Sequence, residues 1–197
     1  MRRLAISCIS CVLLLAGMAS ADVQWFATDV SAESDEAVQT VHTVLIEVEG
    51  TTSHQIQNYY VSLDLVPIDV SAGSVSFGTP APAPTDYLFP SSFLFTPSAA
   101  TSVKIVCSDD DNGDSPTIGP GVRKSVIEVP ILVAAGTEGK WEVRFNREDE
   151  ACTLDDTNWQ HFPNAGFEDG TIDIIPEPTT IGLLAFSGLM LIRRKRR

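Results

Sequence analysis

The chain reads as all-β, a single antiparallel β-sandwich domain flanked by an N-terminal signal peptide and a short C-terminal transmembrane helix. Three observations predict this. Several short stretches alternate apolar and polar residues with a period of two. No stretch of the central region keeps an apolar 3.6-residue period for long. The two ends of the 197-residue chain each pair a short uncharged run with basic residues, a composition suited to membranes rather than to a folded core.

In order along the chain, Arg2 and Arg3 precede an uncharged run from Leu4 to Gly17, and Ala19-Ser20-Ala21 supplies the small residues that signal peptidase needs. Residues 1–21 therefore read as a secretory signal peptide, cut between Ala21 and Asp22. Met18 stands where the lipidated cysteine of a lipoprotein would follow Leu15-Ala16-Gly17, which argues against lipidation.

Residues 22–175 are the expected extracytoplasmic domain, and their 154 residues suffice for one sizeable core. Val44, Ile46 and Val48 alternate with Glu47 and Glu49. Tyr59, Val61, Leu63 and Leu65 alternate with Tyr60, Ser62 and Asp64. Val103, Ile105 and Cys107 repeat the pattern, as do Ile127, Val129, Ile131 and Val133, and then Trp141, Val143 and Phe145. Each is the signature of a half-buried strand. Gly, Pro and Asp between such strands favour an antiparallel sandwich. On the strand pattern alone, the domain resembles cohesins and carbohydrate-binding modules. Pro130 inside a strand pattern predicts an edge position or a bulge. Thr79 to Pro84, Thr-Pro-Ala-Pro-Ala-Pro, predicts a stiff polyproline connection between sheets, and Ile174 to Pro178 a hinge after the domain.

Charge narrows the partners. Residues 22–175 carry 25 acidic against 6 basic side chains, a net of −19. Such a surface repels nucleic acid and anionic lipid, and it favours divalent cations. Asp109-Asp110-Asp111-Asn112-Gly113-Asp114 gathers hard oxygen ligands around a turn that glycine permits, so Asp109, Asp111 and Asp114 are candidate calcium ligands. The same residues make an ordinary solvated turn, and the closing Glu of a twelve-residue calcium loop is absent. No cofactor other than calcium is suggested.

Cys8 and Cys11 leave with the signal peptide, and the remaining pair, Cys107 and Cys152, predicts one disulfide in an exported domain. It would close a loop of 46 residues, worth about 4 kcal/mol in the chain-entropy treatment. The alternative is two buried thiols. Trp141, Trp159, Tyr59, Tyr60 and Phe162 suggest a sugar-stacking surface. Trp141 is in phase with Val143 and Phe145 and belongs in the core, which leaves Trp159 as the better surface candidate. His42, His54 and His161 are scattered, with neither HExxH nor GxSxG around them. No catalytic constellation is visible, and a non-enzyme is expected.

The tail is the most specific signal. Pro176 and Pro178 push Ile175 and Glu177 into extended conformations, giving a rigid peptide with one carboxylate. Thr179 to Ile192 is an uncharged run of fourteen residues. As a helix it covers about 21 Å, short of the roughly 30 Å of a hydrocarbon core. Arg193, Arg194, Lys195, Arg196 and Arg197 follow and would stay in the cytoplasm. Such a segment anchors only with bilayer thinning and snorkelling arginines, which suits a temporary station. These three parts in this order resemble the PEP-CTERM sorting domain of exported bacterial surface proteins. The resemblance covers residues 176–197 only. It implies recognition of Pro176, Glu177 and Pro178 by exosortase, a membrane-embedded cysteine-protease-like enzyme that removes the tail. It also implies transient anchoring in the inner membrane, a final place at the cell surface or in the extracellular matrix, and an association with exopolysaccharide and biofilm. It assigns no activity to the body. The expectation is a binding or structural module for polysaccharide or calcium. The alternatives are a secreted glycan-active enzyme using an Asp/Glu pair, and a permanently anchored structural protein.

Overall fold

Each stretch that alternates in the sequence forms a strand, with the apolar set turned inward. In the computed structural model, residues 23–83, 87–88, 94–96, 99–108, 116–148, 151–156, 158 and 160–176 are described. Outside them lie the predicted signal peptide with Ala19, Ala21 and Asp22, the acidic turn with Asp109, Asp111 and Asp114, Trp159, and the tail from Glu177 onward. The strands in chain order are β1 (Val23–Ala27), β2 (Val30–Ser34), β3 (Thr40–Gly50), β4 (His54–Gln55), β5 (Asn58–Ala72), β6 (Val75–Phe77), β7 (Leu94–Thr96), β8 (Ser102–Ser108), β9 (Thr117–Ile118), β10 (Lys124–Val133), β11 (Glu138–Phe145), β12 (Thr153–Asp155), β13 (Asn164–Glu168) and β14 (Gly170–Pro176). Among the described residues there is no helix.

Two sheets make the sandwich. The first runs β13-β1-β3-β10-β6; the second runs β2-β14-β11-β5-β8-β7, with β12 also on β5. β4 and β9 form a small separate ribbon. Val44, Ile46, Val48, Val61, Leu63, Ile105, Ile127, Val129, Ile131, Val133 and Val143 are fully buried between the sheets. Trp25 of β1, also fully buried, meets Phe145 of β11 across the sandwich at 6.1 Å between ring centroids, tilted by 53°. Its indole nitrogen donates to Asn164 Oδ1 at 2.9 Å, so the one polar atom of the ring is satisfied inside the core.

The sandwich is not wholly antiparallel. β1 pairs with β13, and β2 with β14, in parallel. The chain crosses from the first sheet to the second between β1 and β2, and again between β13 and β14, so its first and last strands travel together. The crossings nest closely. Asp29 Oδ1 accepts from Thr171 N at 2.7 Å and from Thr171 Oγ1 at 2.5 Å. A Cβ on Gly170 would lie 2.8 Å from the Thr28 carbonyl oxygen and 2.9 Å from that of Ala27. Only glycine fits there without displacing backbone.

Two sequence expectations need correction. Pro130 sits neither on an edge strand nor at a bulge: it pairs with Thr43 in β10, between β3 and β6, while the register shift of that ladder lies between Ser125 and Ile127. It is tolerated because none of the bonds on its β6 side needs a donor from its nitrogen. On that side its carbonyl accepts from Gly78 N at 2.7 Å, and the next bonds link Ala81 with Glu128. The Thr79–Pro84 stretch thus begins as a strap along β10, burying Pro80 and Ala83. Nor is Ile174 to Pro176 a hinge. Ile174 is buried in β14, and Ile175 and Pro176 pair with Glu33 and Ser34 of β2, so the domain extends through Pro176.

Candidate functional site

Sheet order decides which side chains share the open face of the second sheet. β5 carries β8 on one side and β11 and β12 on the other. With Tyr59, Val61 and Leu63 inward, Asn58, Tyr60 and Ser62 turn outward. Opposite Tyr60 stands Thr153 of β12, and opposite Ser62 stands Lys104 of β8. Asn146, Glu148 and Ala151 on one side and His161 on the other raise walls beside this row. The result is a cleft of about 450 Å³ lined by Tyr60, Lys104, Asn146, Glu148, Thr153, Asp155 and His161, with Ala151.

Its walls are built by short polar contacts. Asp155, 7 % exposed, is hydrogen-bonded through Oδ1 to His161 Nδ1, and the two residues also form a backbone bridge. Phe162 N donates to Leu154 O at 2.9 Å, so the chain turns back beside β12 in a hairpin. Asp156 caps its tip, accepting from Asn158 N at 2.7 Å and Gln160 N at 2.9 Å. The Gln160 amide, with the Asn158 bonds, holds the Asp156 carboxyl below the usual carboxylate range. On the other wall, Asn146 Oδ1 accepts from Glu148 N at 2.9 Å. Arg147 pairs with Asp169 at 2.5 Å, and Asp169 also accepts from Phe145 N at 2.9 Å. Ser62 Oγ and Asn58 Oδ1, on either side of Tyr60, are buried without a hydrogen-bond partner.

The predicted disulfide is absent: Cys107 and Cys152 are both buried thiols that are not joined to each other. Strand order explains why. Cys107 pairs with Tyr59 from the β8 side of β5. Cys152 precedes Thr153, the partner of Tyr60 on the opposite side. Cys152 is also two residues further along β5, level with Val61, so two strand spacings and that offset put the Cα atoms roughly 12 Å apart, beyond the ~7 Å that a disulfide spans. Cys152 Sγ instead donates toward Asn146 O at 3.4 Å and Ser62 O at 3.5 Å, and burial pushes its thiol up to about 11. A thiol so held is not a nucleophile at neutral pH.

The expected sugar-stacking surface is dispersed. Tyr59 is in the core, with its hydroxyl donating to Val126 O at 3.3 Å, and Trp141 is in the core as its phase requires. Phe162 packs against the core and the His54 ring, 4.5 Å between centroids. Tyr60 alone of the four described aromatics lines the cleft. Among the described residues, no group of three or more His, Cys, Asp or Glu is placed to hold a metal ion. The sequence reading missed Lys104, Asn146, Glu148, Thr153 and Asp155, and left His161 without a partner. The spacing Asp155 to His161 around Asp156 and Asn158 was the only local sign of a hairpin.

No protein-family model matches the chain, and no curated protein matches it. Solved structures do. A type I cohesin from a cohesin–dockerin complex of Clostridium thermocellum superposes with a TM-score of 0.59 at 13 % identity, over 82 % of this chain and 99 % of that one. The fold is cohesin-like. A second cohesin from such a complex of the same organism gives 0.58 at 9 % identity, over 78 % and 99 %. A non-cellulosomal cohesin from the archaeon Archaeoglobus fulgidus gives 0.55 at 12 % identity, over 79 % and 92 %. At these identities the likeness concerns the fold, and the cohesin-like domain described above carries a cleft of its own.

Proposed function

We propose that this is an exported cell-surface or extracellular-matrix protein whose cohesin-like sandwich is a non-catalytic binding or structural module, sorted by its PEP-CTERM-type tail. The observation that carries the reading of the body is the cohesin-like sandwich with one open sheet face and a ligand-sized polar cleft on it. Structures of cohesins bound to dockerins support a protein partner as the first class of ligand, with extracellular polysaccharide the second. Pro176-Glu177-Pro178, the short apolar run and the terminal basic cluster support the sorting. Signal peptidase acts first. The tail then holds the chain in the inner membrane until exosortase acts.

Intact-mass analysis of protein from its native host tests the sorting. The expected mature chain begins at Asp22 and lacks Arg193–Arg197, and Glu177→Ala leaves those residues in place. An intact basic end in the wild-type protein would instead establish a permanently anchored structural protein. A second reading rests on Glu148 and Asp155, which line the same cleft and make a carboxylate pair available to a glycan. We expect no hydrolysis of host polysaccharide by the wild type. Hydrolysis abolished by Glu148→Gln and Asp155→Asn would replace the binding module with a glycan-active enzyme.

A further inference from the structure

Among the described residues six large hydrophobic side chains are exposed, and five of them gather at one end of the sandwich. Val38 is 59 % exposed, Val41 61 %, Ile68 55 %, Val70 37 % and Ile175 53 %. The sixth, Val122, lies toward the other end, where β10 begins. Pairing fixes the grouping. Val70 stands opposite Gly139, and Gly139 opposite Ile174, one residue before Ile175. Ile68 is the extra residue where the β5–β11 register shifts between Lys140 and Trp141. Val41 pairs with Leu132 near the end of β10, and Gly136 N donates to Asp35 O at 2.9 Å, tying the Val38 loop to the same end. This is also the end at which β14 delivers Pro176.

The length of chain beyond that point matters. β14 stays paired through Pro176, and the apolar run starts at Thr179, so only Glu177 and Pro178 intervene. Fully extended, those steps span at most about 11 Å. A headgroup layer is roughly 5 to 8 Å thick on each side of the hydrocarbon. With the tail inserted, this end of the sandwich has nowhere to sit but against the headgroups. Its other side chains narrow the lipid. Glu33, Asp35, Glu36, Asp69, Glu138 and Asp173 stand at this end, and its nearby cation, Lys140, is paired with Asp173 at 3.0 Å. Anionic lipid would be repelled, whereas zwitterionic headgroups accept apolar side chains without that cost.

We propose that the end of the sandwich formed by Val38, Val41, Ile68, Val70 and Ile175 docks on a zwitterionic lipid surface while the tail is inserted. The anchored protein therefore sits on the membrane as a seated body rather than swinging on a tether. This rests on the reading of residues 179–192 as a membrane anchor.

The test uses residues 22–197, the signal-cleaved chain with its tail intact, with vesicles of phosphatidylcholine and phosphatidylethanolamine, read by flotation and by amide hydrogen exchange. The expected result is flotation together with about tenfold slower exchange in residues 35–41 and 67–73 than in the vesicle-free chain. Val38→Asp with Ile68→Asp, both at exposed positions, should keep flotation and abolish the added protection. A fifteen-residue Gly/Ser insertion after Pro176 should weaken the protection, and phosphatidylglycerol vesicles should reduce it. Flotation without added protection overturns the docking and leaves the anchor standing. Absence of flotation overturns the anchor and the docking with it. Protection that persists in the double variant, or that appears in a self-associated chain without vesicles, also overturns the lipid surface as the occupant.

Discussion

Cys152 carries a measurable consequence of its position. The residue is 2 % exposed, its sulfur faces two backbone carbonyls, and burial raises its pKa from 9.0 to about 11. The folded state therefore holds a proton that the unfolded chain releases as pH passes 9. Stability tied to this group is fully present below pH 9 and is lost as pH rises toward 11, by about 3 kcal/mol in all. Burial pushes the hydroxyls of Tyr59 and Tyr87 up as well, far beyond the usual tyrosine range, so their share is lost only above pH 10. Chemical denaturation at stepped pH should show unfolding free energy falling from pH 9, with most of the fall between pH 9 and 10 gone in Cys152→Ser. Under native conditions at pH 8, neither thiol should react with a thiol reagent, and unfolding in the absence of reductant should release both. A native disulfide would show as no thiol released.

At the scale of elements, the paired crossings of the first and last strands hold the two sheets in register with each other. Gly170→Ala places a methyl against two backbone oxygens that cannot move independently, and it should cost about 2 kcal/mol, seen as a lower midpoint in urea at unchanged slope. Asp29→Ala removes both bonds to Thr171 and should cost about 1 kcal/mol. The Thr171 side chain, then its backbone amide, lower the Asp29 pKa. The Asp29 share is thus present above the ordinary carboxylate pKa and fades as pH falls through the lowered one. These crossings also mark where the sequence stopped being legible. β3, β5, β8, β10 and β11 are half-buried strands inside their sheets, and alternation alone located them. β1 buries Trp25, Phe26 and Ala27 in succession, so its pattern has no period. β13 and β14 are separated by Asp169 alone and contain Gly166 and Gly170, which reads as loop chemistry until the partner strands are known. The cleft was hidden for the same reason. Tyr60 and Lys104 become neighbours of Asp155 and His161 only through pairing across β5, a non-local fact. The disulfide expectation failed there too, because strand phase places Cys107 inward but does not say on which side of β5 each cysteine lies.

Across the whole molecule, 25 acidic side chains against 6 basic ones in residues 22–175 set the background for any ion effect. Like charges at this density destabilise the compact state, so added salt stabilises it by screening, whichever cation is used. A calcium site at Asp109, Asp111 and Asp114 would act differently, by mass action on the folded state. At about 1 mM calcium and a Kd of about 10 µM, within the range of oxygen-ligand sites, the gain is about 3 kcal/mol. For a domain of this size that corresponds to a rise in Tm of roughly 6 to 12 °C. The same concentration changes ionic strength by only about 3 mM, too little to matter for screening. Thermal melts of the mature domain should therefore separate the two cases. A rise with calcium that exceeds the rise with magnesium several-fold, and that Asp111→Asn with Asp114→Asn removes, places an ion in the acidic turn. Equal and small shifts with both cations, unchanged in the variant, assign the turn to solvent and leave the net charge as the only cation-sensitive property of the domain.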